Sequence, residues 1–106
     1  MDVICANPRN DVNETAIRKV RFGLRRMAWL APRTHVAVAA EPAPLARCEL
    51  SVETLAGPKV RVTALDADWR NAIDIAVARA ARLVTRAVRR TQGTPPPILP
   101  PRRRAA

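Results

Sequence analysis

The chain has 106 residues, 48% of them apolar, which is enough for one small domain with a single modest core. Nineteen Lys and Arg against nine Asp and Glu leave a net charge of +10, pointing to nucleic acid or an anionic membrane surface as partner. No apolar run approaches the roughly 18 residues that span a bilayer, and one His, one Ser, no Tyr and three scattered Gly leave little for catalysis or a phosphate-cradling loop.

The N-terminus, MDVICANPRND, is short, is broken by Pro8 and carries Asp2, so it does not read as a signal peptide. A cytoplasmic protein is expected. Val3 and Cys5 alternate with Ile4 and Ala6, which predicts a first strand ending near Pro8. Asn13 is the expected N-cap of the first helix, with Glu14 placed well against the helix dipole. That helix is expected to run to Leu30 or Ala31, where Pro32 stops it. Its apolar face is Ile17, Val20, Leu24, Met27, Ala28 and Ala31, and Gly23 weakens it by about 1 kcal/mol relative to alanine.

Three strands follow. Residues 34–40 alternate, with Val36 and Val38 on one face. The EPAPLA loop is set by Pro42 and Pro44. In 47–55, Cys48, Leu50 and Val52 face one way while Arg47, Glu49, Ser51 and Glu53 face the other. Gly57-Pro58 makes a turn, and 59–65 puts Val60, Val62 and Ala64 inward. Such alternation predicts a sheet with one wet face and one covered face. Glu49, Glu53 and His35 then read as surface or structural residues rather than an acid/base set. Cys5 and Cys48 have no CxxC spacing and read as small core side chains. No metal, cofactor or small-molecule substrate is expected, and the protein is not read as an enzyme.

The last helix, 68–90, is the most informative stretch. Asp66 or Asp68 caps it, and Trp69, Ala72, Ile73, Ala76, Val77, Ala80, Leu83, Val84, Ala87 and Val88 fill one apolar face. At about 100° per residue, Arg79, Arg82, Arg86, Arg89 and Arg90 fall together on one flank. No acid occurs after Asp74. A stripe of one sign repels itself unless a polyanion lies against it, whereas solvated helix faces usually mix signs. Trp69, in the first turn, is expected to press against the sheet or the other helix.

The order β-α-β-β-β-α predicts an α+β fold: a four-stranded mixed sheet with two parallel helices packed on one face. The first two strands pair in parallel through a helical crossover, and the rest form an antiparallel meander. Residues 1–92 make the domain. Residues 93–106, with five prolines and a terminal run of Arg102, Arg103 and Arg104, read as a disordered or polyproline-like tail. On the first helix, Arg18, Phe22, Arg25 and Trp29 form a stripe off the apolar face. Exposed aromatics between arginines suit base stacking and cation–π contact. The alternative is that Trp29 folds back under the helix end and Phe22 covers a loop.

The segment KVRVTALDADWRNAID resembles the ribosome hibernation-promoting factor family (ribosome-associated inhibitors, or sigma-54 modulation proteins). Its family pattern is a strand, small residues, an acidic cap and D-x-Y-x-A-I-D, here Asp68-Trp69-Arg70-Asn71-Ala72-Ile73-Asp74. Arg79, Arg82, Thr85, Arg86 and Arg90 fall where the family places basic residues and a threonine. MDVICANP followed by VNETAIR resembles its opening strand and V-x-x-T-E-A-L-R helix start. The likeness covers roughly residues 1–90. Arg70 departs from the family's tyrosine, and the first helix is about one residue short against the pattern. Against the family the sequence reads as a short form, expected to lack the extra domain by which long members pair ribosomes.

The resemblance implies a non-enzymatic translation inhibitor that binds the small ribosomal subunit and occludes messenger and transfer RNA sites, a monomer when free. Arg18, Arg21 and Arg25 would lie beside Arg79, Arg82 and Arg86 if the helix flanks meet, with Arg89 and Arg90 extending the ribosomal RNA surface. Two other classes compete: a generic RNA- or DNA-binding module, and a protein-interaction module whose charge is incidental.

Overall fold

Side-chain alternation decides which way each strand faces, and the computed structural model follows it. It describes residues 1–39, 44–55 and 59–92, and their side chains except those of Val88, Arg90, Thr91 and Gln92. The strands are β1 (Asp2–Cys5), β2 (Arg33–Ala39), β3 (Ala46–Glu53) and β4 (Val60–Asp66); the helices are α1 (Asn10–Gly23) and α2 (Trp69–Gln92). Spatial order equals chain order, β1-β2-β3-β4. β1 pairs β2 in parallel from Asp2↔Arg33 to Cys5↔Val36, while β2–β3 and β3–β4 are antiparallel. This is the α+β architecture read from the sequence. The Gly57-Pro58 turn, residues 41–43 of the EPAPLA loop and the 93–106 tail lie outside the described residues.

Val36, Cys48, Leu50, Val52, Val62 and Ala64 are buried on one sheet face, under Ala16 and Val20 of α1, Leu24 just after it, and Ala72, Ile73, Ala76, Val77, Ala80 and Val84 of α2. α1 lies over β1 and β2, and α2 over β3 and β4. The other face is open and carries His35, Ala37, Glu49, Arg61 and Thr63. His35 Nε2 sits 3.9 Å from Glu53 Oε2 there, and Arg47 Nε 3.5 Å from Glu49 Oε2. That is a decorated surface, as expected.

Both cysteines are free. Burial pushes the Cys48 thiol up to about 12, with Cys5 and Glu49 adding to the effect, and burial raises Cys5 as well. A thiol whose folded pKa exceeds its ordinary 9.0 contributes stability fully present below that value and lost as pH rises toward the folded one. Chemical denaturation at pH 8 and pH 10.5 is expected to show a larger alkaline loss for the parent protein than for Cys48→Ala. Equal losses would refute that linkage.

Two expectations for the first helix need correction. The helix begins at Asn10, and Asn13 is not its cap. Asn13 instead clamps the preceding loop from inside the helix: its Oδ1 accepts the Asn7 N–H (2.7 Å) and its Nδ2 donates to the Asn7 carbonyl (2.8 Å). Asn7 in turn donates through Nδ2 to the Val38 carbonyl at 3.0 Å, tying the loop to β2.

The helix also ends early, at Gly23, and a 3-10 segment (Arg25–Leu30) with a non-helical Met27 carries the chain to β2. Pro32 is therefore not what stops α1. Gly23 is where α1 comes against α2, since a Cβ built there would overlap Val77 Cγ1. Glycine's weak helix propensity makes this the natural place to change geometry.

Trp69 is partly buried against the core edge rather than fully enclosed. Arg70 and Arg9 guanidinium carbons lie 4.5 and 5.8 Å from its ring centroid. Trp29, by contrast, is 68% exposed. Trp69→Ala is expected to cost about 2–3 kcal/mol, below the range for a fully buried tryptophan, and Trp29→Ala no more than about 0.5 kcal/mol. Urea titrations of the two variants check this, and equal losses would contradict it.

Candidate nucleic-acid interface

α2 is built to hold its arginines rigidly. Asp66 Oδ2 accepts the Asp68 N–H and Asp68 Oδ1 accepts the Arg70 N–H, both at 2.9 Å, which closes the helix start as the sequence predicted. Small residues on the inner face (Ala72, Ala76 and Ala80, all fully buried) let the helix axis sit close to the sheet. At 24 residues α2 is about 36 Å long, against about 23 Å for the 7 residues of β4. Its last turns therefore project beyond the sheet, at the end where Leu55 N–H bonds the Leu30 carbonyl (3.0 Å).

Arg82, Arg86 and Arg89 are exposed and, with Ala81 and Thr85, line a shallow concavity of about 450 Å³. Thr85 spends its hydroxyl proton on the Ala81 carbonyl at 2.8 Å, so towards an anion it brings no free donor. Arg79 does not belong to this group. Its Nη1 donates to the Thr63 carbonyl (2.9 Å) on the outer edge of β4, where it covers an edge backbone group. The side chain of Arg90 lies outside the described residues. Arg79→Ala is thus expected to reduce RNA affinity less than Arg82→Ala does. Titrating both variants against one RNA decides the order, and a larger loss at Arg79 would overturn this assignment.

The expectation that the two arginine flanks meet is not met. Lys19 Nζ pairs with Asp74 Oδ1 (2.8 Å) across the seam between the helices, and Gly23 meets Val77 one turn on. Arg79 faces β4, the side of α2 away from α1. Arg18, Arg21 and Arg25 are exposed on α1 and just beyond it, so the basic residues spread across the helix layer as a band.

What the parallel helices do bring together is a charge polarity. The last acid of α1 is Glu14 and the last of α2 is Asp74; Asp11, Asp66 and Asp68 lie at that same N-terminal end. Between residues 15 and 40 there is no acid, and none after Asp74. Arg25, Arg26, Arg82, Arg86 and Arg89 therefore converge on the opposite end without counter-charge in the helix layer. Glu53 is at this end too, but on the open sheet face. Helix C-terminal dipoles favour cations here, which lowers the cost of the crowding.

Phe22 is 66% exposed and Leu55 63%. The Arg25 guanidinium carbon lies 4.1 Å from the Phe22 ring centroid, and its Nη1 donates to the Phe22 carbonyl (2.7 Å). The alternative in which both aromatics of this segment tuck under neighbouring chain does not hold. Among the described residues no group of His, Cys, Asp and Glu could hold a metal ion. Likewise, no described helix is long and apolar enough to cross a membrane. Sequence reasoning missed the Lys19–Asp74 pair and the edge role of Arg79, because both depend on which elements lie beside α2.

No protein-family model matches the sequence, and no curated protein matches it. Solved structures do. The N-terminal domain of Protein Y from Thermus thermophilus superposes with a TM-score of 0.64 at 24% identity, covering 81% of this chain and 98% of that one. A ribosomal subunit interface protein from Coxiella burnetii superposes with a TM-score of 0.67 at 11% identity, covering 81% of this chain and 96% of that one. The α+β fold expected from the sequence is therefore the fold of this chain, and these two structures share it.

Proposed function

We propose that the protein associates with the ribosome and inhibits translation, binding small-subunit RNA through the basic end of its helix layer and occluding messenger and transfer RNA sites. The observation that carries this reading is the arginine-rich end of the helix layer, which carries no acid, on a fold shared with a ribosomal subunit interface protein. Arg82, Arg86 and Arg89 are the principal phosphate contacts. Arg18, Arg21 and Arg25 extend the surface across α1, Arg79 stands at its margin, and Arg90 is expected to add to it.

Guanidinium groups suit the task because they hold phosphate oxygens in pairs and are never deprotonated. A rigid helix presents them with little ordering cost on binding. Recognition is then by backbone shape and charge, with each phosphate contact releasing counterions. No bond is made or broken. The protein acts by filling space as a free monomer that docks, and the cytoplasm is where it would meet ribosomes.

Translation in a purified system tests the occlusion step. Inhibition should grow with protein concentration and weaken when messenger and initiator transfer RNA are bound to the subunit first. Unimpaired translation at concentrations where the protein cosediments with subunits would refute occlusion and leave only association.

A further inference from the structure

We infer that the basic end carries a stacking site for an unpaired base, formed by Trp29 with Phe22 as a second platform, so that its nucleic acid includes a single-stranded segment. The inference rests on the RNA-binding reading above and adds which form of RNA the surface selects. The chain has only two tryptophans and one phenylalanine, yet Trp29 and Phe22 are left 68% and 66% exposed. A small domain gains most from burying its aromatics, so leaving two outside forgoes stability.

The segment that carries Trp29 is nonetheless anchored. Leu24 and Ala31, at either end of the 3-10 segment, are fully buried, and the Leu30 carbonyl is bonded to β3's outgoing chain at Leu55. The indole therefore projects from a held backbone and needs no ordering to be presented. Arg25 and Arg26 of the same segment bring positive charge, no acid lies between residues 15 and 40, and Glu53, the acid at this end, faces Arg33 and His35 on the open sheet side. A protein partner docking on Trp29 and Leu55 would have to neutralise those guanidinium groups, which a polynucleotide does with every phosphate.

An indole reaches the face of a base only where the base is not already stacked within a duplex. A-form helices offer side chains phosphates, 2′-hydroxyls and a shallow groove instead. Phe22 lies under the Arg25 guanidinium, which leaves its other ring face for a base. Sequence preference at such a site is weak, because every base has a π-face.

The test uses the full chain with Trp69→Phe, so that emission comes from Trp29 alone. The titrants are a mixed-sequence single-stranded RNA and its duplex of equal length, in the same salt. The single strand is expected to quench Trp29 and bind more tightly than the duplex. Trp29→Leu, which keeps apolar bulk without the ring, should lose about 5- to 100-fold in single-strand affinity and leave duplex affinity unchanged. Trp29→Phe should retain most of it. Equal affinity for both forms, or an unaltered Trp29→Leu variant, overturns the site. If that result comes with subunits still binding, ribosome association survives it. Strong single-strand quenching without subunit binding would support the site and sink the ribosome reading.

Discussion

Reversing Arg82, Arg86 and Arg89 to glutamate together is expected to lower affinity for ribosomal RNA by about 100-fold or more at moderate salt, with far-ultraviolet circular dichroism unchanged. These three side chains surround one concavity on a projecting part of α2. All three are solvent-exposed, so the change removes no core packing. The slope of log affinity against log salt should fall by about three, one for each phosphate no longer neutralised. The slope matters more than the affinity, because a general loss of fold would lower affinity without that signature. If the triple reversal leaves binding within a few-fold of the parent, the surface has been placed wrongly.

Gly23→Ala is expected to destabilise the domain by about 1–3 kcal/mol, the usual cost of overpacking, although alanine is the better helix former by about 1 kcal/mol. The added methyl would overlap Val77 Cγ1, and Val77 is held within the core, 7% exposed. A β-branched side chain has few rotamers on a helix, so Val77 cannot easily turn away. In the Val77→Ala background the same substitution should become neutral or stabilising. The coupling in that double-mutant cycle is the quantity to measure by denaturant unfolding. A cycle without coupling would mean that the helices do not meet at this point.

The layered fold was legible in the sequence because strand alternation and helix periodicity are local patterns. β3 shows this best: Cys48, Leu50 and Val52 are buried, and Glu49, between them, is exposed. The acidic cap of α2 was legible for the same reason, since Asp66 and Asp68 act on backbone within two residues. Helix ends and pairings across elements were not. Asn13 has the composition of a cap, yet Asn7 captures its side chain once the loop is tied to Val38.

The apolar spacing of 24–31 continues the pattern of α1, yet the chain leaves the α-helix at Gly23 and only Leu24 and Ala31 of that stretch are buried. Of the candidate site, the exposure of Phe22 and of the α2 arginines follows helix periodicity, whereas Trp29 lies beyond the end of α1 and its exposure does not. Arg79 could not be told from Arg82 without knowing that β4 is an edge strand beneath it. Lys19 likewise gives no sign in sequence of its partner Asp74, 55 residues away.

Association with the small ribosomal subunit is proposed to run through the acid-free end of the helix layer. Sedimentation of the purified, folded protein with vacant small subunits through a sucrose cushion, across a salt series, tests it most directly. The protein should pellet with the subunits at low salt and be released steeply as salt rises. Folded protein that stays in the supernatant at low salt would mean that it does not bind the subunit through this surface.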